Sequence, residues 1–157
     1  MIPAAFEYHR PTKMDDVIAL LTKHGDDARV MAGGHSLIPM MKLRMAEIPH
    51  LIDLQDIGGL QDITIHGQRV TLGAMVTQHE LINHAALTEI APILRETALQ
   101  IADPQVRYMG TVGGNVANGD PGNDMPGLMQ CLDAQINLAG PNGARSVAAR
   151  DYYEAAY

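Results

Sequence analysis

The first third of the chain alternates short apolar runs with segments of helical periodicity. Apolar side chains over residues 14–24 recur every three or four positions, as on one face of a helix, and Gly25 ends that pattern. The runs ARVMA and HLIDL are short and apolar, as in buried strands, and HSLIPMMKLR between them predicts a second helix. The β–α–β–α–β order over residues 1–55 favours parallel strands joined by right-handed crossovers.

From residue 56 onward the pattern is mixed. DITIHGQRVTLGA alternates apolar and polar residues around His66-Gly67, and AQINLAGPNGARSVAA does so around residues 141–143, so two hairpins are predicted. TQHELINH and residues 91–102 predict helices, whereas VANGDPGNDMPG indicates a long irregular loop. The expected organisation is a small α/β lobe at residues 1–55 and a larger α+β lobe at residues 56–157.

Composition and charge narrow the possible functions. A formal net charge of −7 argues against nucleic acid as a main partner, because phosphate backbones require clustered Lys and Arg. The longest clean apolar run, residues 17–21, is far too short to span a bilayer, and no signal-peptide pattern opens the chain, so a cytoplasmic location is expected. The single cysteine, Cys131, cannot by itself build an iron–sulfur cluster or an internal disulfide.

Two glycine pairs follow the same pattern of apolar, Gly, Gly and polar residues. In AGGHS, Gly33 and Gly34 come after a predicted strand, and Ser36 adds a hydroxyl at the start of a helix. A turn without Cβ atoms lets an anion approach the backbone N–H groups. Alone, AGGHS could be a simple tight turn. TVGGN repeats the pattern on the second lobe, with Thr111 and Asn115 as side-chain donors, so one elongated phosphorylated ligand between the two lobes is expected.

AGGHSLIPMMKLR together with TVGGNVANGDPGNDMP closely resembles the FAD-binding, or medium, subunits of the molybdenum hydroxylases, including the carbon monoxide dehydrogenase type and the corresponding region of xanthine dehydrogenase. FEYHRPT, LIDL and ARDYYEAAY are similar to that family as well. The resemblance implies a two-lobed FAD-binding fold of the vanillyl-alcohol oxidase type. It also implies an oxidoreductase subunit that relays electrons from the iron–sulfur clusters of a partner, through FAD, to an external acceptor.

The resemblance implies a set of cofactor-binding residues on both lobes, with FAD between them. The first loop would wrap the pyrophosphate, the second would hold it and the ribityl side, and the acidic residue would bind a hydroxyl of the flavin chain. These residues are Ala32, Gly33, Gly34, His35, Ser36, Leu37, Thr111, Gly113, Gly114, Asn115 and Asp124. No residue is nominated as a catalytic acid, base or nucleophile. Implied partners are an iron–sulfur subunit and a molybdenum-cofactor subunit, with a homodimer of such heterotrimers as one possible assembly.

Several alternatives stay open at this point. Members of the family normally continue well beyond the second motif, so the larger lobe is expected to be incomplete at its C-terminus. A non-catalytic assembly domain that keeps the fold without flavin is the competing hypothesis. No metal site is predicted, since the spacing of His79 and His84 does not match a zinc motif. Cys131 is expected to be a buried packing residue. The tyrosines of DYYEAAY could form an exposed interaction surface or a simple terminal helix.

Overall fold

The computed structural model describes residues 1–154, so Tyr157 lies outside the described residues. Seven strands, eight α-helices and two short 3-10 helices, Gly25–Asp27 and Ala149–Asp151, are found in this part of the chain. The strands are β1 Glu7–His9, β2 Ala28–Met31, β3 His50–Asp53, β4 Ile63–His66, β5 Arg69–Leu72, β6 Gln135–Gly140 and β7 Gly143–Ala148. The helices are α1 Met14–His24, α2 Leu37–Lys42, α3 Gln78–Asn83, α4 Ala85–Ile90, α5 Pro92–Gln100, α6 Pro104–Met109, α7 Val112–Asn118 and α8 Asp124–Cys131.

The first part of the chain is a three-stranded parallel sheet in the order β1-β3-β2, which confirms the predicted β–α–β–α–β opening. Helix α1 packs on this sheet because Val17 on its apolar face is buried against Ala28 and Ile52. Elsewhere on the same sheet, Met41 of α2 is buried with Leu51 of β3. All three strands end toward the same edge, and the loop after β2 begins there.

Both predicted hairpins are present as separate two-stranded antiparallel sheets. In the first, His66 pairs with Arg69, so the turn residues are Gly67 and Gln68, one position later than predicted. Gly67 has a φ of 60°, which glycine adopts at little cost. In the second, Gly140 pairs with Gly143 across the turn.

The long irregular loop predicted for VANGDPGNDMPG is wrong. Two helices, α7 and α8, enclose this segment, and only five residues, 119–123, separate them. Thr111 caps α7 by accepting a hydrogen bond from the N–H of Gly114, and Gly119 ends the helix in the left-handed conformation. These two end signals outweigh the poor helix propensity of two glycines and two asparagines.

The largest core cluster is built from residues beyond the small parallel sheet, with Leu81, Leu87 and Met125 fully buried. Tyr152 is half-buried against this cluster, which indicates packing rather than the exposed surface considered above. The expectation of a buried Cys131 is wrong: the thiol is exposed at the end of α8. No helix among residues 1–154 is both long and apolar enough to cross a membrane.

Candidate functional site

The loop between β2 and α2 offers backbone donors without partners. Among the described residues, the N–H groups of Gly33, Gly34, His35 and Ser36 donate to no protein acceptor. The hydroxyl of Ser36 likewise makes no capping bond to α2. Gly34 has a φ of 74°, so an L side chain would be strained there. Consecutive unpaired amides in such a turn form the kind of concavity that binds an anion.

The second glycine loop is different, because its amides are already satisfied within the chain. The N–H of Gly113 donates to the carbonyl of Ala74 at 2.9 Å, and the N–H of Gly114 donates to Thr111 Oγ1 at 3.1 Å. The neighbouring Val112 and Asn115 amides also bond to backbone carbonyls. The glycines of TVGGN therefore have a packing reason as well: a Cβ on Gly113 would lie 2.5 Å from the Cβ of Ala74.

The two glycine loops touch each other, as their repeated pattern predicts. A Cβ added to Gly33 would overlap the carbonyl oxygen of Met109 and lie 3.1 Å from the Cα of Gly110. A Cβ added to Gly114 would lie 3.4 Å from the Cβ of Ala32. The first loop therefore lies directly against the entry to the second one, and a ligand on the first can reach side chains of the second.

Side chains around the loops add further polar groups. The Oδ1 of Asn115 is buried and has no hydrogen-bond partner among the described residues. His35 and Ser36 are exposed, whereas Leu37 packs with the core cluster of the first sheet. Asp124 is exposed at the start of α8. The structure thus brings the Gly-Gly segments together, and the roles given to the individual side chains stay predictions.

A buried carboxylate beside the first loop escaped the sequence analysis. Asp53 is fully buried at the carboxyl end of β3, where it pairs in register with Met31. Its Oδ2 accepts a hydrogen bond from the Tyr8 hydroxyl at 2.5 Å, and its Oδ1 accepts one from the N–H of Gln55. The hydrogen bond to Asp53 is the main reason that the pKa of Tyr8 is raised. An acidic residue ending an apolar run at the carboxyl edge was the available signal.

A surface depression of about 540 Å³ lies elsewhere, between the β4 strand and α3. Gln61, Thr64, His79 and Glu80 are among its lining residues, and no residue of either glycine loop lines it. This depression is therefore separate from the candidate site at the glycine loops.

The residues of the first loop fit a phosphate-bearing cofactor. Four unpaired amides and one hydroxyl can all donate hydrogen bonds to phosphate oxygens. The orphaned Oδ1 of Asn115 is an acceptor that a hydroxyl-bearing ligand would satisfy. Fold and loops together define a mixed α/β protein in which a loop of unpaired backbone amides lies against a second glycine-rich loop.

Residues 4–157 match the family model described as the FAD binding domain in molybdopterin dehydrogenase. The chain belongs to this family, and FAD is its cofactor. The predicted family and cofactor are confirmed by this match.

The chain is 64% identical over 157 residues to the carbon monoxide dehydrogenase medium chain of Afipia carboxidovorans, covering 100% of this chain and 54% of that one. It is 47% identical to the medium chain of Hydrogenophaga pseudoflava, covering 100% of this chain and 55% of the relative. Reconstituted CO dehydrogenase from Oligotropha carboxidovorans contains a chain that superposes with a TM-score of 0.97 at 64% identity, again covering 100% of this chain and 55% of that one. The chain thus spans about half the length of the relatives it matches.

Proposed function

We propose that this chain is the FAD-holding part of the medium subunit of a cytoplasmic molybdenum hydroxylase of the carbon monoxide dehydrogenase type. In that role it accepts electrons from the iron–sulfur clusters of a partner subunit and passes them to an external acceptor. The observation that carries the proposal is the run of unpaired amides from Gly33 to Ser36, set against the second glycine loop. FAD supplies the redox chemistry when bound, and the protein supplies binding and orientation.

The first loop provides the backbone donors for the pyrophosphate in this proposal. The amides of residues 33–36 and the hydroxyl of Ser36 bind its oxygens, and charge-assisted hydrogen bonds of this kind are short and strong. The second loop contributes through side chains, because its own amides are occupied. Asn115 offers its unpartnered Oδ1 to a hydroxyl of the cofactor, and Asp124 is a second acceptor for the flavin chain.

Assembly with other subunits follows from the same proposal. One cysteine within these 157 residues cannot hold an iron–sulfur cluster, so the proposal places the clusters outside this stretch of sequence, on a partner subunit. The relatives at 64% and 47% identity are named as medium chains of CO dehydrogenases, and this is the support for iron–sulfur and molybdenum-cofactor subunits as partners. A two-lobed architecture of the vanillyl-alcohol oxidase type, divided near residue 55, is part of the proposal.

The test places a negative charge in the anion-binding loop while leaving the helix intact. Ser36 is the N-cap residue of α2 and makes no side-chain cap bond. Aspartate is a favoured N-cap, so Ser36→Asp should keep or slightly raise the melting temperature of the FAD-free protein. Its carboxylate would repel the pyrophosphate and remove a hydroxyl donor, which should weaken FAD binding by roughly tenfold to a hundredfold. FAD affinity is measured by calorimetric titration.

His84→Asp is the matched control. It adds one negative charge at pH 7 and exchanges one N-cap acceptor for another, because His84 Nδ1 accepts a hydrogen bond from the N–H of Leu87 at the start of α4. FAD affinity should be unchanged in this variant. Equal FAD affinity in Ser36→Asp and wild type would refute the loop as the pyrophosphate site. An absence of FAD binding by the wild-type chain would refute the proposal that these residues suffice to hold the cofactor.

A further inference from the structure

Three histidines from separate elements meet at the edge of the parallel sheet. His9 ends β1, His50 begins β3, and His24 ends α1. Glu7 is paired in register with His50, and side chains two apart on a strand share a face, so Glu7 and His9 both lie beside His50. The ring centroids of His24 and His50 are 3.6 Å apart, which places the end of α1 directly over the start of β3.

The distances suit a tetrahedral metal ion. One ring nitrogen from each histidine lies within 4.8 Å of the other two. His9 Nε2 and His50 Nδ1 are 3.2 Å apart. A zinc ion with metal–nitrogen bonds of about 2.0–2.1 Å sets its tetrahedral ligands about 3.4 Å from one another. One edge of such a tetrahedron is therefore already in place, and small side-chain rotations close the others.

A carboxylate lies beside the three histidines. Glu7 Oε2 is 3.3 Å from His50 Nδ1 and 3.9 Å from His9 Nε2. The Glu7 side chain is exposed, so its rotation toward the three ring nitrogens would supply a fourth ligand atom, the number that structural zinc sites use. An ordinary hydrogen-bonded pair, His9 with His50, would account for two of the rings but not for the third.

The third histidine has an unsatisfied ring nitrogen. His24 Nε2 is buried and has no hydrogen-bond partner among residues 1–154. A buried polar atom without a partner usually indicates an ion or a water molecule.

We propose that these three histidines and the Glu7 carboxylate bind one divalent transition-metal ion of the zinc class. Imidazole ligands suit Zn²⁺, Co²⁺, Ni²⁺ and Cu²⁺, whereas Mg²⁺ and Ca²⁺ prefer all-oxygen sites. By binding residues of α1, β1 and β3 together, the ion stabilises the small parallel sheet. The site lies at the amino end of β3, whereas the first glycine loop follows the carboxyl end of the parallel strand β2. Metal binding is therefore independent of the flavin site.

The experiment titrates the full chain, first stripped with EDTA, with ZnCl₂ in a calorimeter, and with CoCl₂ under visible spectroscopy. Wild type should bind one equivalent of Zn²⁺, give the absorption bands of tetrahedral Co²⁺ and melt at a higher temperature with Zn²⁺ than with EDTA. His24→Gln and His50→Gln should each weaken Zn²⁺ binding by more than about tenfold and lose the Co²⁺ bands. His66→Gln is the control, because His66 is exposed in the first hairpin.

Absence of saturable Zn²⁺ binding by wild type would overturn the proposal, as would unchanged affinity in both histidine variants. Melting in EDTA and far-ultraviolet circular dichroism establish that the variants are folded. Should the histidine variants fail to fold, Glu7→Gln replaces an exposed side chain on the strand surface and decides the question. It should weaken Zn²⁺ binding and alter the Co²⁺ spectrum, and no change in either would count against the four-ligand site.

Discussion

Replacing Gly33 by alanine should separate the two glycine loops. The added Cβ would overlap the carbonyl oxygen of Met109 and lie 2.8 Å from the carbon of that carbonyl, a distance that real Cβ atoms essentially never show. The opposing atoms are backbone atoms held in place, since the carbonyl of Gly110 accepts a hydrogen bond from Gln78 and its N–H donates to Val106. They cannot turn aside as a side chain could.

The magnitude follows from this rigidity. Overpacking a well-packed site costs about 1–3 kcal/mol, and a backbone-to-backbone overlap belongs near the upper end. For a chain of this length each kcal/mol lowers the melting temperature by about 2–4 °C, so Gly33→Ala should melt roughly 6–12 °C below wild type. Gly58→Ala is the matched control, because no atom lies within 4 Å of its added Cβ and its φ is not positive. It should melt within about 2 °C of wild type.

Thermal melts of both variants, with and without FAD, form the assay. FAD at about 100 times its dissociation constant should add about 2.7 kcal/mol to the free energy of unfolding of wild type and of Gly58→Ala. At the same FAD concentration the increase should be smaller in Gly33→Ala, because the unpaired amides of the first loop move with residue 33. If Gly33→Ala melts as Gly58→Ala does, the contact between the loops is not as described. A lower melting temperature with a full FAD increase would confine the role of Gly33 to packing.

Three further substitutions test other features of the structure. Gly127→Ala should raise the free energy of unfolding by about 0.5–1 kcal/mol in a urea titration, because Gly127 lies within α8 and nothing is within 4 Å of its added Cβ. Tyr8→Phe should lower it by about 1 kcal/mol at pH 7, since buried Asp53 loses one partner. The raised pKa of Tyr8 means that this contribution is complete below about pH 10 and is lost as the pH rises through the folded-state pKa, so the two proteins should converge at high pH. Gly114→Val should lower the melting temperature of the FAD-free protein, because its Cβ would lie 2.7 Å from the Thr111 hydroxyl that caps α7; an unchanged melting temperature would contradict that packing.

Much of the small parallel sheet could be predicted, because each of its elements has a local signal. The apolar periodicity of α1, the closing Gly25 and the short runs that became β2 and β3 agree with one another. The region around α7 could not be predicted in the same way. There the helix depends on the Thr111 cap and on contact with residues 74–76, which local propensity does not contain.

The candidate site, too, could be predicted only in part from local sequence patterns. A Gly-Gly-polar pattern was enough to identify both loops and to predict that they meet. It could not distinguish the first loop, whose amides are unpaired, from the second, whose amides donate to Ala74, Val76 and Thr111. It also missed Asp53, because one acidic residue at the end of an apolar run has no distinctive spacing. The histidine cluster was invisible for a related reason: His9, His24 and His50 are far apart in sequence and are brought together only by strand register and helix packing.

The close backbone contacts at Gly33, Gly73 and Gly113 limit the substitutions that this protein can tolerate. At each of these positions a single methyl group would collide with another stretch of main chain or with its Cβ: Met109 for Gly33, Leu60 for Gly73 and Ala74 for Gly113. In a saturation library selected for folded protein, only glycine should be recovered at these three positions, whether or not flavin is present during selection. If the first loop binds the pyrophosphate as proposed, variation in cofactor affinity must therefore come from side chains beside these glycines, such as the exposed His35 and Ser36. FAD affinity would then change through the exchange of side-chain donors, while the backbone conformation of the loop stays the same.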